Sequence, residues 1–451
     1  MALSLRENSS AQETGRQVVK IEPGSRAAAH RIAKCSIHKD LDSPGFGRGI
    51  FLRQPSTLTG GEERFARSNV FSGTDALRYW PRPGKIGTTM KLFKCQHCGQ
   101  LLYFENTVCE KCSHTLGFIP KIMNVSAMEP QGNAWRALAV DKKLYRFCAN
   151  AEFGVCNWTI EADAPDSYCA ACRHNRTIPD TGIADNVTAW RKIEIAKHRL
   201  FYTLMKLDLP LDGKGDDGGE RLVFDFLASP PHVNGPRVMT GHDNGLITLA
   251  LEEADDVERE KLRTLMYEPY RTLLGHFRHE VGHYFWDVLV RDGGLTEACR
   301  KIFGDERVDY GQALQAYYAN GVVPNWQEKF ISAYATSHPW EDFAETWAHY
   351  LHIVDTLEMA RAFGLYVHPR LAPPGELDAQ VDFDPYKVRD PSALIETWIP
   401  LSNALNSLNR TMGLSDIYPF ILSPAVVEKL SAIHDLIHGN KLPDKATKTA
   451  A

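Results

Sequence analysis

Two histidines four residues apart enclose a glutamate in the run His279-Glu280-Val281-Gly282-His283. A helix turns once every 3.6 residues, so both imidazoles fall on one face and can share one metal ion. Glu280 stands one step round the helix, over the side of that ion left for water. Two neutral nitrogen ligands plus a carboxylate able to take a proton from water are the parts that metal-assisted hydrolysis needs. A solvated helix can carry the same pattern by chance, but the flanks here include Leu273, Leu274, Phe277, Tyr284, Phe285 and Trp286. A helix buried by such flanks must satisfy its polar groups, and zinc does that directly. Gly282 leaves room for another element, or a substrate, to approach the backbone.

Eight of the ten cysteines form two groups of four. The first is Cys95 and Cys98, followed after ten residues by Cys109 and Cys112. Each Cys-x-x-Cys knuckle aims two thiolates at one point, and two knuckles complete a tetrahedral zinc site. Gly99 and Ser113 follow the knuckles as turn residues. The second group is Cys148, Cys156, Cys169 and Cys172. Its first pair is widely spaced, but Ala149, Ala151 and Gly154 suit a loop that could return both sulfurs to one metal. A redox role for Cys169 and Cys172 lacks the βαβ context it would need. Cys35 and Cys299 read as small apolar residues, and His97 and His174 as exposed polar ones.

These groups need elements to position them. Residues 1–89 are rich in Gly, Ser, Arg and Pro without period, and read as a disordered or dispensable extension, with Met90 a plausible start. Residues 90–175 read as a double zinc ribbon of short strands, and 180–440 as a mostly helical domain with a small sheet. The whole is α+β. Within the second domain the pattern predicts a helix over 187–207, strands over 222–227 and 245–251, and a long helical stretch from about Val257 that carries His279 and His283. Further helices are expected over 310–320, 326–334, 341–363, 393–412 and 423–438, with a frayed tail over 441–451. The strand at 245–251 is a candidate edge along which an extended peptide could pair.

The chain of 451 residues has 43% hydrophobic residues and a net charge of −5. Residues 1–90 hold 14 Lys/Arg against 8 Asp/Glu, so the remainder is markedly acidic. That argues against nucleic acid as a main ligand. No apolar run approaches the roughly 18–20 residues of a membrane span, and the N-terminus lacks a secretory layout. A cytoplasmic protein is expected, in which cysteines bind metal rather than form disulfides. Oligomeric state is not legible.

A catalytic zinc usually has three protein ligands. Leu289 stands where a third histidine of the short-spaced class would be, so the third ligand should come from a later helix. Glu341 and Glu345 share a helical face among Phe343, Trp347 and Leu351, which suits carboxylates buried against a cation. We read Glu341 as the ligand and Glu345 as a hydrogen-bond acceptor behind one histidine, with the reverse assignment open. Asp287, four residues after His283, is a candidate to orient that imidazole or to pair with an arginine. His276 is expected to be buried and bonded to a carbonyl. The charged run Gly304–Tyr310 reads as salt-bridged or as part of a cleft. His349 and His352 read as structural.

The segments around His283 and Glu341, with the four-cysteine ribbon ahead of them, resemble the bacterial zinc-binding metallopeptidases of gluzincin type that carry an N-terminal zinc ribbon. The resemblance covers about residues 90–440. It implies a zincin-like domain and hydrolysis of peptide bonds in a peptide or protein substrate, with Glu280 as general base. A more distant similarity, to the metalloprotease domain of anthrax lethal factor, implies that Glu341 ligates zinc and that Tyr334 supports the transition state. Asp342 departs from that pattern, which has Phe there. The two cysteine groups together with His279, His283 and Glu341 point to one catalytic zinc beside two structural ones. The competing expectation is a ribbon module for protein interaction whose helical domain holds zinc for structure alone.

Overall fold

The computed structural model describes residues 92–211, 222–229, 238–265, 272–371, 373 and 375–442. The expected extension over 1–89 lies outside them, as does the expected tail apart from residues 441 and 442. The first part is β-rich. Strands β1 (Leu92–Lys94) and β2 (Leu101–Tyr103) pair antiparallel. A five-stranded antiparallel meander follows: β3 (Thr115–Ile119), β4 (Asn124–Gln131), β5 (Ala134–Ala137), β6 (Leu144–Phe147) and β7 (Thr159–Glu161). Gly99 and Ser113 both take positive φ after their knuckles, as the tight return of the chain requires.

The second sheet straddles the expected domain boundary. β8 (Asn175–Thr177), at the end of the cysteine-bearing segment, pairs parallel with β9 (Val223–Leu227). Between them in sequence runs α1 (Ala184–Lys206), and beyond β9 lie β10 (Gly241–Asp243) and β11 (Leu246–Ala250). The spatial order is β10-β11-β9-β8, with β10 antiparallel to β11 and the rest parallel. Here the structure corrects the sequence: β11, the expected edge, is an inner strand with Ile247 and Leu249 fully buried. The edges are β10 and β8, each three residues long and too short to show alternation.

The helices that follow are α2 (Asp256–Leu265), α3 (Leu273–Phe285), α4 (Thr296–Phe303), α5 (Tyr310–Asn320) and α6 (Pro339–Phe363). A two-strand pair, β12 (Tyr366–Val367) and β13 (Ala379–Gln380), precedes α7 (Pro391–Thr411) and α8 (Pro424–Ile437). The long helical stretch expected from Val257 is two helices. Thr272 starts the second, its hydroxyl accepting from Gly275 N at 3.0 Å. The helix expected over 326–334 is also absent. Its residues form short 3-10 turns at Trp326–Glu328 and Tyr334–Thr336, with Asn325 in the left-handed region.

Helix α6 is the centre of the second part. Phe343, Trp347, Leu351, Val354 and Leu357 are fully buried, and so is Glu341. The helix is buried on most sides, with α3, α4, α7 and α8 packed about it. One continuous core runs from Phe93 and Phe118 in the cysteine-bearing segment through Trp190 and Phe224 to Leu436. Among the described residues no helix is long and apolar enough to cross a membrane.

Candidate active site and metal centres

Helices α3 and α6 cross where α3 has a glycine. A Cβ on Gly282 would stand 3.0 Å from Ala344 Cα and 3.2 Å from its carbonyl oxygen. The approach brings the first turn of α6 against the His279–His283 face. Proline at the first position of α6 and the ring of His338, which accepts from Trp340 N at 3.0 Å, start that helix. Glu341 and Asp342 then lie in its first turn, where the helix dipole favours negative charge.

Three donor atoms converge. His279 Nε2 and His283 Nε2 are 3.2 Å apart. Glu341 Oε2 lies 3.0 Å from the first and 3.5 Å from the second. Ligands at zinc–nitrogen and zinc–oxygen distances around a tetrahedral ion stand about 3.3 Å apart, so this triangle has the size zinc needs. Glu345 Oε1 accepts from His279 Nδ1 at 2.7 Å, and Ser332 Oγ donates to Glu345 Oε2 at 2.5 Å. Burial works against charge on His279, yet Glu341 and Glu345 on either side raise its pKa well above the ordinary value. Burial alone would likewise raise Glu341, but the two histidines hold it well below the carboxylate range. Both shifts come from these imidazoles and carboxylates acting on one another at close range.

Glu280 is half-buried beside this triangle, and its charge reaches the hydroxyls of Tyr310 and Tyr334. The Tyr334 ring stands 6.0 Å from that of His279. Tyr310, at the end of the charged run Gly304–Tyr310, donates to Glu341 Oε1 at 2.7 Å. Burial first, then the Glu341 charge, raises both phenols, so both stay protonated donors. Trp340 lies on His283 with ring centres 3.9 Å apart. On the edge strand β10, His242 stacks against His283 at 5.9 Å, its Nε2 accepting from Gly245 N at 2.9 Å.

Other expectations sort as follows. Asp287 is buried and pairs with Arg291 at 2.9 Å. His276 meets a carboxylate, Glu253, at 3.3 Å rather than the expected backbone carbonyl. The Gly304–Tyr310 run is salt-bridged, Glu306 to Arg300 and Asp305 to Arg307. Asp342, whose role was open, is fully buried against Lys429 of α8 at 2.6 Å, and burial pushes it up to about 7 despite that partner. His349 is buried and bonded to Tyr418. Cys299 is buried as expected, while Cys35 lies outside the described residues.

Both cysteine groups close up. Cys95 and Cys112 sulfurs are 3.7 Å apart, and Cys98 and Cys109 sulfurs 3.6 Å. In the second group Cys156 and Cys169 stand 3.8 Å apart, and Cys148 and Cys172 share the cluster. Thiolates on a tetrahedral zinc would be about 3.8 Å apart, so both sets fit. The loop between Cys148 and Cys156 turns through Ala149–Ala151 and Gly154 at positive φ. Sequence reasoning missed that α1 reaches this second group: His198 Nε2 is 3.3 Å from Cys156 Sγ and Glu194 Oε2 is 3.9 Å from Cys172 Sγ. His97 is exposed as expected and stacks on His114 at 4.1 Å. His174 is not. It is buried, donating from Nδ1 to the Leu222 carbonyl at 2.7 Å.

Residues 186–436 match a family described as "putative zinc-binding metallo-peptidase", and residues 92–183 match a zinc-ribbon domain. The chain is 41% identical over 352 residues to an uncharacterized protein of Mycobacterium tuberculosis (strain ATCC 25618 / H37Rv), a match covering 77% of this chain and 95% of the relative. An uncharacterized protein of Mycobacterium bovis is similar to the same extent. No solved structure matches the chain.

Proposed function

The chain belongs to that zinc-binding metallo-peptidase family, with a zinc ribbon ahead of the peptidase region, and on this basis we propose that it hydrolyses peptide bonds at the His279–His283–Glu341 site. The single observation that carries the reading is the triangle of His279 Nε2, His283 Nε2 and Glu341 Oε2, with Glu280 standing free of it on the same helix. A zinc held for structure alone would not call for a half-open carboxylate beside it.

Zinc bound there would act as a Lewis acid on water and on the scissile carbonyl. Glu280 takes the proton of the attacking water and delivers it to the departing amine nitrogen. Tyr334 donates to the oxygen on which negative charge develops. Tyr310 holds Glu341 by its outer oxygen, and Glu345 holds His279 by its outer nitrogen, so each ligand is fixed from behind. Asp287 is proposed to steady the α3 end near His283 through its pair with Arg291.

The substrate is a peptide or protein, and the short edge strand β10 is the place where an extended backbone could pair. Cys95, Cys98, Cys109 and Cys112 hold one structural zinc and Cys148, Cys156, Cys169 and Cys172 another, about three ions per chain with the catalytic one. The ribbon is read as residues 90–175 and the peptidase domain, of gluzincin type, as 180–440. We place the protein in the cytoplasm, where thiols grouped for metal persist. Cleavage of a random peptide library, with and without a chelator, tests the function. Chelator-sensitive cleavage with a position preference is expected; no cleavage by zinc-replete protein would count against it.

A further inference from the structure

The second cysteine group is not built from the ribbon segment alone. Helix α1, inside the region matched to the peptidase family, passes it with Glu194, Lys197 and His198 buried. His198 Nδ1 donates to the Glu194 carbonyl oxygen at 2.6 Å. That bond turns Nε2 toward Cys156 Sγ at 3.3 Å and Cys172 Sγ at 3.7 Å. Glu194 Oε1 takes Lys197 Nζ at 2.9 Å, Trp190 Nε1 at 3.0 Å and Asn175 Nδ2 at 2.7 Å. A fully buried lysine–glutamate pair costs more in lost hydration than it returns unless its surroundings use the charge. Four thiolates around a divalent cation carry net negative charge, and the buried Lys197 cation, bonded to Glu194, is within electrostatic reach of Cys172 and Cys169.

The same helix buttresses the one that bears the catalytic histidines. Thr203 Oγ1 donates to Asp355 Oδ1 at 2.7 Å. The other oxygen of Asp355 holds Arg278, the residue before His279. Phe201 of α1 packs on Phe224 at 6.0 Å, and Phe224 on Phe277 of α3 at 5.6 Å.

We propose that His198 and Lys197 complete the second metal centre, so that the ion held by Cys148, Cys156, Cys169 and Cys172 clamps α1 and thereby fixes α3. The consequence for hydrolysis rests on the peptidase reading; the clamp itself does not.

The test uses zinc-loaded full-length protein and reads two things: the phases of zinc release to a chromophoric chelator, and backbone hydrogen exchange over 273–285. His198→Ala should speed one release phase roughly tenfold to a hundredfold, as loss of a supporting partner does, and raise exchange over 273–285. Thr203→Val should raise that exchange and leave zinc release alone. A Cys95→Ser/Cys98→Ser control should remove a different phase without changing the exchange. Parent-rate release from His198→Ala overturns the assignment of that residue, and parent-level exchange in Thr203→Val overturns the clamp. If His198→Ala does not fold, Lys197→Met carries the same test of the centre with the same two outcomes. A parent protein that cleaves no peptide would end the peptidase reading and leave both readouts in force.

Discussion

Glu345 accepts from His279 Nδ1 at 2.7 Å while the opposite nitrogen of the same ring faces Glu341 at 3.0 Å. Two carboxylates one turn apart on α6 thus divide the two nitrogens of one imidazole. Because a carboxylate only accepts, Glu345 places a proton on Nδ1 and turns Nε2 toward the metal position.

This division predicts unequal losses. Glu345→Gln should weaken zinc affinity at the catalytic site roughly tenfold to a hundredfold, the usual effect of disturbing a supporting partner. Glu341→Ala should empty the site at concentrations where the parent is full. Competition with a chelator of known affinity measures both. If the sizes are reversed, the ligand lies one helical turn further along α6.

Gly282→Ala should destabilise the protein, against the usual sign. In a helix interior the change normally gains about 0.5–1 kcal/mol. Here the added methyl meets the α6 backbone at 3.0 Å, and α6 is held from behind by the Asp342–Lys429 pair. A loss of about 1–3 kcal/mol is expected, as for other overpacked sites, with weaker zinc binding because Glu341 rides on the displaced helix. Denaturant melts with and without zinc would show it. A more stable variant would mean that α6 yields without cost.

The two tyrosines should separate by readout. Tyr310→Phe removes the hydrogen bond on Glu341 and should weaken zinc affinity before it touches turnover of the loaded enzyme. Tyr334→Phe should keep zinc and lower kcat roughly tenfold to a thousandfold, as when one oxyanion donor is removed. Zinc titration and steady-state kinetics on the same two proteins decide. If Tyr310→Phe lowers kcat with zinc intact, it is Tyr310 that faces the substrate.

What the sequence made legible was whatever repeats within one helical turn. His279 and His283 share one face of α3 with Glu280 a step round from it, and Glu341 and Glu345 share a face of α6, so spacing alone places each set. The cysteine knuckles are legible for the same local reason. Tyr310 meets Glu341 across 31 residues and His198 meets Cys156 across 42, and no periodicity joins such pairs. Strand order fails likewise: β11 has the stronger pattern because it is inside the sheet, while the edge strand β10 is too short to have one. The start of α3 carries a local signal in Thr272, a capping residue inside the stretch that periodicity alone reads as one helix.

In the proposed mechanism Glu280 moves a proton and does not hold the metal. The measurement is zinc content and peptide cleavage on parent, Glu280→Gln and Glu341→Ala, each purified under the same reducing conditions. Glu280→Gln is expected to keep the parent's full zinc content and lose cleavage, whereas Glu341→Ala is expected to lose one zinc and cleavage together. A Glu280→Gln protein that cleaves as well as the parent would contradict that mechanism.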